Sequence, residues 1–148
     1  MLQDQAFQIL QMGHNVFLTG QAGSGKTYTL NRFIRWAREH RIGIAVTAST
    51  GIAATHIGGT TIHSWSGIGI NEEITKKDLE KLAKKKELQK RFNTTKILII
   101  DEVSMLSSTF FENLNMVCKH MKENDLPFGG IQIILCGDLF QLPPINRY

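Results

Sequence analysis

At 148 residues, 42% of them apolar, the chain has the length of one compact domain and the composition to bury a sound core. Seventeen basic against thirteen acidic residues leave a net charge of +4, a mild bias that suits a polyanionic partner without requiring one. No apolar run approaches membrane-spanning length, the N-terminus lacks a signal-peptide pattern, and Cys118 and Cys136 show neither metal spacing nor a disulfide framework.

Residues 3–12 place Ala6, Phe7, Ile9 and Leu10 at helical spacing, and Gly13 ends the pattern. Residues 16–19 predict a strand, and residues 26–40 a helix with Leu30, Phe33, Ile34 and Ala37 on one face. A second short strand is predicted over 44–47, followed by a stretch to Gly69 rich in Gly, Ser, Thr and Ala, with a short helix over 52–57. Residues 75–91 are lysine-rich, with only Leu79, Leu82 and Ala83 as an apolar stripe. Residues 97–100 are apolar at every position, as in a strand covered on both faces. A helix is marked by Phe110, Phe111, Leu114, Val117, Cys118 and Met121, and a last strand by residues 131–136. Pro143 and Pro144 block regular structure beyond. Short apolar strands alternating with helices predict an α/β domain, a parallel sheet with helices on both faces, in which both cysteines are small core residues.

The most informative stretch is Gly20-Gln21-Ala22-Gly23-Ser24-Gly25-Lys26-Thr27, lying between a predicted strand and a predicted helix. That is the context of a phosphate-binding loop. Glycines let backbone N–H groups close around a phosphate chain, Lys26 supplies a point charge to the β and γ phosphates, and Thr27 a hydroxyl to Mg2+. The chain is therefore expected to bind a nucleoside triphosphate. Asp101 and Glu102 follow the apolar strand at its carboxyl end, where ligands of open parallel sheets sit. Asp101 would hold the Mg2+ shell and Glu102 orient and deprotonate the attacking water; taken alone, the pair would equally serve as a cap for the next helix. Gln141, in Gly137-Asp138-Leu139-Phe140-Gln141-Leu142-Pro143-Pro144, is placed to reach a γ-phosphate or its attacking water, though an ordinary proline-stiffened turn also fits.

Thr50, Gly51, Thr61 and His63 lie among small hydroxyl residues suited to track a nucleic-acid backbone without reading bases. For His63 and Trp65 a phosphate or stacking contact competes with a plain core position. The lysine-rich segment is open to two readings, a backbone-contacting patch or a solvated helix face.

Taken in order, these segments resemble the Pif-type DNA helicases of superfamily one. GQAGSGKT resembles motif I, AVTASTGIAATHIGGTTIHSWSGIG motifs Ia and Ib, ILIIDEVSML motif II and CGDLFQLPP motif III. Residues 110–130, ending in Pro127-Phe128-Gly129-Gly130, resemble the family's signature segment. The resemblance implies a first RecA-like motor domain over 1–148, of P-loop NTPase type, with ATP and Mg2+ as cofactors and 5′-to-3′ unwinding of DNA as the activity. It assigns Gly20 to Thr27 to the nucleotide, Thr27 and Asp101 to the metal, Glu102 as general base and Gln141 as γ-phosphate sensor. It assigns Thr50, Gly51, Thr61 and His63 to single-stranded or forked DNA. A glutamine that reads adenine falls on Gln3, with Gln5 as second choice, and a small wedge insertion on about 67–92. The family also carries a second RecA-like domain, with motifs IV to VI and a catalytic arginine, which this chain does not supply. Weak hydrolysis by this chain alone, a monomer, a role in DNA repair, recombination or replication, and a cytoplasmic or nuclear location are the matching expectations. Two other classes compete: a nucleotide-dependent DNA-binding fragment, and an AAA-type ATPase, which would carry an Asn, Ser or Thr sensor in place of GDLFQLPP.

Overall fold

The structure is a computed structural model that describes residues 3–20, 25–69 and 73–138. Its elements in chain order are α1 (Gln3–Gln11), β1 (Val16–Thr19), α2 (Lys26–Glu39), β2 (Ile44–Ala48), α3 (Gly51–Ile57), β3 (Thr60–Thr61), α4 (Ile62–Ser66), α5 (Lys76–Ala83), α6 (Lys86–Thr94), β4 (Ile97–Asp101), α7 (Ser108–Lys122) and β5 (Gln132–Gly137). The five strands form one parallel sheet in the order β1-β5-β4-β2-β3.

Side chains of a strand alternate between its faces, so each central strand feeds two cores. Ile97 and Ile99 of β4, with Ile134 and Cys136 of β5, meet Leu10 of α1 and Leu30, Phe33, Ile34 and Ala37 of α2. Leu98 and Ile100 of β4, with Ile133 of β5, meet a larger cluster built from Trp65, Leu82, Leu88, Phe92, Phe110, Leu114, Val117 and Cys118. This is the helix-covered parallel sheet that the alternating sequence predicts, and both cysteines are buried in it. Burial raises both thiols to a pKa of about 12.

α1 is pinned to α2 by the Asp4–Arg32 ion pair at 2.7 Å and by the Arg32 guanidinium lying over the Phe7 ring. At its far end, the Gln132 amide donates to the carbonyls of Leu10 and His14.

The lysine-rich segment forms two helices rather than one charged run. Thr75 and Asp78 build a reciprocal capping box at the start of α5, the S/T-x-x-D/E pattern of a helix N-terminus. The chain breaks at Lys84 and Lys85, and α6 begins at Lys86. Leu82, Leu88 and Phe92 point into the larger core, with Phe92 against Trp65 at 4.7 Å between ring centroids. Lys122 of α7 donates to the carbonyls of Phe92 and Thr95, closing the carboxyl end of α6. Lys76, Lys77, Lys81, Lys84, Lys85, Lys86 and Lys90 are exposed. Residues 75–91 hold eight basic and three acidic residues, a local excess of +5 that exceeds the +4 of the whole chain.

Pro127-Phe128-Gly129-Gly130 is a tight turn against α7, with Phe128, Gly129 and Gly130 at φ of 51°, 63° and 85°. The Asn115 side chain accepts from the Phe128 N–H at 2.7 Å, and a Cβ on Gly129 would run into the backbone of Cys118. The end of the signature segment thus returns the chain from α7 to β5.

Candidate nucleotide-binding and DNA-binding site

The sheet register decides what lies beside what. Ala48 is paired with Asp101 on one side and with Thr61 on the other, while Thr19 is paired with Gly137. The last residues of all five strands therefore share one edge. With adjacent strands about 4.8 Å apart, Asp101 and Thr61 stand roughly 10 Å from one another along that edge.

β1 delivers the chain to Gly20, and α2 begins at Lys26. Gly25 precedes it at φ 89°, a left-handed conformation that disfavours any side chain. The Lys26 ammonium donates to the Gly20 carbonyl at 3.2 Å, so the residues at the two ends of the loop are held together. Thr27 follows in the first turn and is exposed. Gln21, Ala22, Gly23 and Ser24 lie outside the described residues, as do Leu139 to Tyr148, including Gln141. Gln3 places its side-chain amide against Gly25, where an added Cβ would strike it. Gln3, the first of the two glutamines considered for adenine, is thus packed against the carboxyl end of the loop.

Two strands from β1, at the end of β4, Asp101 is half-buried and its Oδ1 accepts from the Glu102 N–H at 2.9 Å. Glu102 is left-handed, at φ 58° and ψ 43°. Such a conformation in a residue other than glycine costs on the order of 1–3 kcal/mol and gathers at functional sites. It is held from the neighbouring strand, since Ser49 donates its N–H to the Asp101 carbonyl at 3.1 Å and its hydroxyl to the Glu102 carbonyl at 2.8 Å. The buried Cys136 thiol of β5 is raised by burial, raised further by the Asp101 carboxylate and lowered by the Lys26 ammonium. Both charges therefore act on one buried sulfur. Carboxylate and hydroxyl oxygens are the hard donors that Mg2+ takes, and Asp101 and Thr27 offer them at this edge.

Thr50 is the N-cap of α3 and accepts from Ala53 N–H, while Thr61 is the N-cap of α4 and accepts from Ser64 N–H, each at 3.2 Å. Accepting these bonds leaves each hydroxyl proton for a further acceptor. Gly51 opens α3 and is exposed. Trp65 is a core residue, 7% exposed, so the core reading holds for it. His63 is half-buried with its ring 4.7 Å from Phe110. Desolvation lowers its pKa below the usual 6.5, so the imidazole is neutral at pH 7. Arg91 of α6 donates to the carbonyls of Ser64 and Trp65, the latter at 2.6 Å, tying the lysine-rich pair to the helix that carries His63.

Sequence reasoning did not single out Ser49 or Arg91. Their partners lie 53 and 26 or 27 positions away, and in sequence Ser49 is one small hydroxyl among several.

A glycine loop running from β1 into a helix that starts with Lys-Thr, beside an Asp-Glu pair at the end of a parallel strand, defines a P-loop NTPase domain of RecA-like architecture. The model of the PIF1-like helicase family matches residues 3–148, and the chain belongs to that family. It is 59% identical over 146 residues to the ATP-dependent DNA helicase Pif1 of Psychrobacter sp. (strain PRwf-1), covering 99% of this chain and 22% of that protein. Among solved structures, the Pif1 helicase from Candida albicans superposes with a TM-score of 0.90 at 40% identity, over 97% of this chain and 33% of that one. The Pif1 helicase from Bacteroides in complex with ADP-AlF3 and ssDNA superposes with a TM-score of 0.81 at 36% identity, over 99% and 34% of the two chains. The chain spans about a fifth of the length of the curated relatives it matches.

Proposed function

We propose that this chain is the first motor domain of an ATP-dependent, 5′-to-3′ DNA helicase, binding ATP with Mg2+ and tracking single-stranded or forked DNA. The observation that carries the reading is the register that sets Thr19, Gly137, Asp101, Ala48 and Thr61 along one sheet edge. It brings the phosphate loop, the carboxylate pair and the threonine-capped helices to the same border. The Bacteroides relative, at 36% identity, was solved with both kinds of ligand.

In this reading the loop from Gly20 to Thr27 wraps the phosphates, with Lys26 releasing the Gly20 carbonyl to meet the β and γ oxygens. Thr27 and Asp101 would hold the Mg2+, whose charge would offset that developing on the transferred phosphoryl group. Glu102 takes the proton of the attacking water, Gln141 contacts the γ-phosphate, and Gln3 reads the adenine from its seat beside Gly25. Thr50, Gly51 and Thr61 contact the DNA backbone. His63, neutral at pH 7, joins them by hydrogen bonding or stacking rather than as a cation. The 67–92 segment serves as the wedge, its lysines toward nucleic acid and its apolar face in the core. A second RecA-like domain supplies the arginine that completes the ATP site, and the protein works as a monomer in DNA repair, recombination or replication. Its location is the cytoplasm in a bacterium or the nucleus in a eukaryote.

Titration with a fluorescent ATP analogue tests the core of this reading. Magnesium-dependent binding is expected, together with weak binding of a single-stranded oligonucleotide that shows little base preference. Equal nucleotide affinity for the wild type and a folded Lys26→Ala variant would remove the phosphate loop from the proposal.

A further inference from the structure

We propose that Ser49 is a positioning residue that couples the two ligands, its hydroxyl linking the left-handed backbone of Glu102 to the start of the DNA-facing helix α3. The proposal rests on the motor-domain reading and adds the physical connection between its two sites. Ser49 sits between Ala48, the last residue of β2, and Thr50, the N-cap of α3. Its N–H extends the β2–β4 ladder by one bond to the Asp101 carbonyl at 3.1 Å. Its hydroxyl crosses to the Glu102 carbonyl at 2.8 Å. One residue therefore grips the main chain of both carboxylates and is joined by a peptide bond to the threonine that begins α3.

Glu102 is where movement at this point has leverage. Its φ of 58° is held against a backbone preference for negative values, so any ligand that relaxes or tightens it turns its carbonyl. A serine hydroxyl bonded to that carbonyl turns with it, and Thr50 is the next residue along the chain. The coupling is reciprocal by thermodynamic necessity: nucleotide at Glu102 changes DNA affinity at α3 by the factor that DNA changes nucleotide affinity.

The same two strands contain a natural control. Thr47 donates its hydroxyl to the Ile99 carbonyl at 2.6 Å, fully buried within the sheet. It bridges β2 and β4 as Ser49 does, without touching Glu102. A hydroxyl that merely fastens the strands together would make the two positions equivalent.

The test uses the full chain and a fluorescent oligothymidylate, its Kd measured without nucleotide and with saturating magnesium, ADP and aluminium fluoride. The wild type is expected to change its DNA affinity at least about 5-fold, the low end of allosteric couplings. In Ser49→Ala each ligand alone binds as in the wild type, but the factor falls toward one. Ser49→Thr, which keeps the hydroxyl, restores it. Thr47→Val lowers the melting temperature and leaves the factor intact. The proposal is overturned if Ser49→Ala keeps the wild-type factor, if Thr47→Val loses it equally, or if the wild type binds both ligands with no coupling. A wild type that binds neither ligand overturns the motor-domain reading itself and this inference with it. Should circular dichroism show Ser49→Ala unfolded, Ser49→Cys, a much weaker donor of similar size, is judged by the same criteria.

Discussion

The two sides of this molecule are built on different terms. Along the carboxyl edge of the sheet, the proposed function rests on a few residues whose type and spacing are set by short runs of chain: Gly25, Lys26 and Thr27 after β1, Asp101 and Glu102 after β4. On the α4–α7 face, seven exposed lysines surround Leu82, Leu88 and Phe92, whose place in the core depends on partners contributed by Trp65 and by α7. The edge tolerates a left-handed Glu102, a cost that the surrounding hydrogen bonds offset. The far face shows ordinary packing under a highly charged exterior. Substitution at the edge should therefore remove chemistry and leave the fold, whereas substitution beneath the lysines should remove the fold.

Glu102→Gln gives the widest separation. With the second motor domain present, ATP turnover should fall by roughly 10² to 10⁴, the scale of a positioned base, while nucleotide affinity stays within a small factor. Phosphate release beside a fluorescent-nucleotide titration reads both, and unchanged turnover would deny Glu102 the role of base. Phe92→Ala does the opposite. Its side chain is fully buried, so about 3–5 kcal/mol of stability should be lost, visible as a lower denaturant midpoint. A loss near zero would mean that α6 is not part of the core.

Lys26→Ala should weaken nucleotide binding by about 10- to 100-fold, from loss of a charge-assisted contact worth about 1.5–3 kcal/mol, with an unaltered circular dichroism spectrum. His63 lies between the two regions and sharpens the boundary. Its pKa is lowered by burial, so the unfolded chain binds a proton at higher pH than the folded one. Stability from this group is complete above pH 6.5 and is lost as the pH falls through the folded value. His63→Gln should flatten that part of the stability–pH curve. Because the ring is neutral at pH 7, His63→Ala should leave the salt slope of single-strand binding unchanged, where a lost phosphate-neutralising charge would reduce it by about 0.7. The smallest effect concerns Cys118 and Cys136. With both thiols raised to a pKa of about 12, a folded sample at pH 8 should show almost no reaction with a thiol reagent, and both should react after denaturation.

Local chemistry determined much of this protein in advance. The hydrophobic periods placed α1, β1, α2, β2, α3, β4, α7 and β5 to within a residue or two, because amphipathic faces and all-apolar strands are properties of contiguous sequence. The glycine loop and the Asp-Glu pair were legible for the same reason, being chemistry carried on consecutive residues. β3 was missed because a two-residue strand has no period. α4 follows it directly and begins at a threonine cap that resembles its polar surroundings. The division of the lysine-rich segment into α5 and α6 turned on burial of Leu88 and Phe92, which a charge-dominated stretch conceals. Tertiary structure alone decided the strand order, and with it the placing of Thr61 two strands from Asp101. It also decided the seat of Gln3 against Gly25, the lowered pKa of His63 beside Phe110, and the grip of Ser49 on Glu102. Each of these joins groups at least 22 residues apart, and contacts of that range are fixed by how the layers pack, which no local run of sequence encodes.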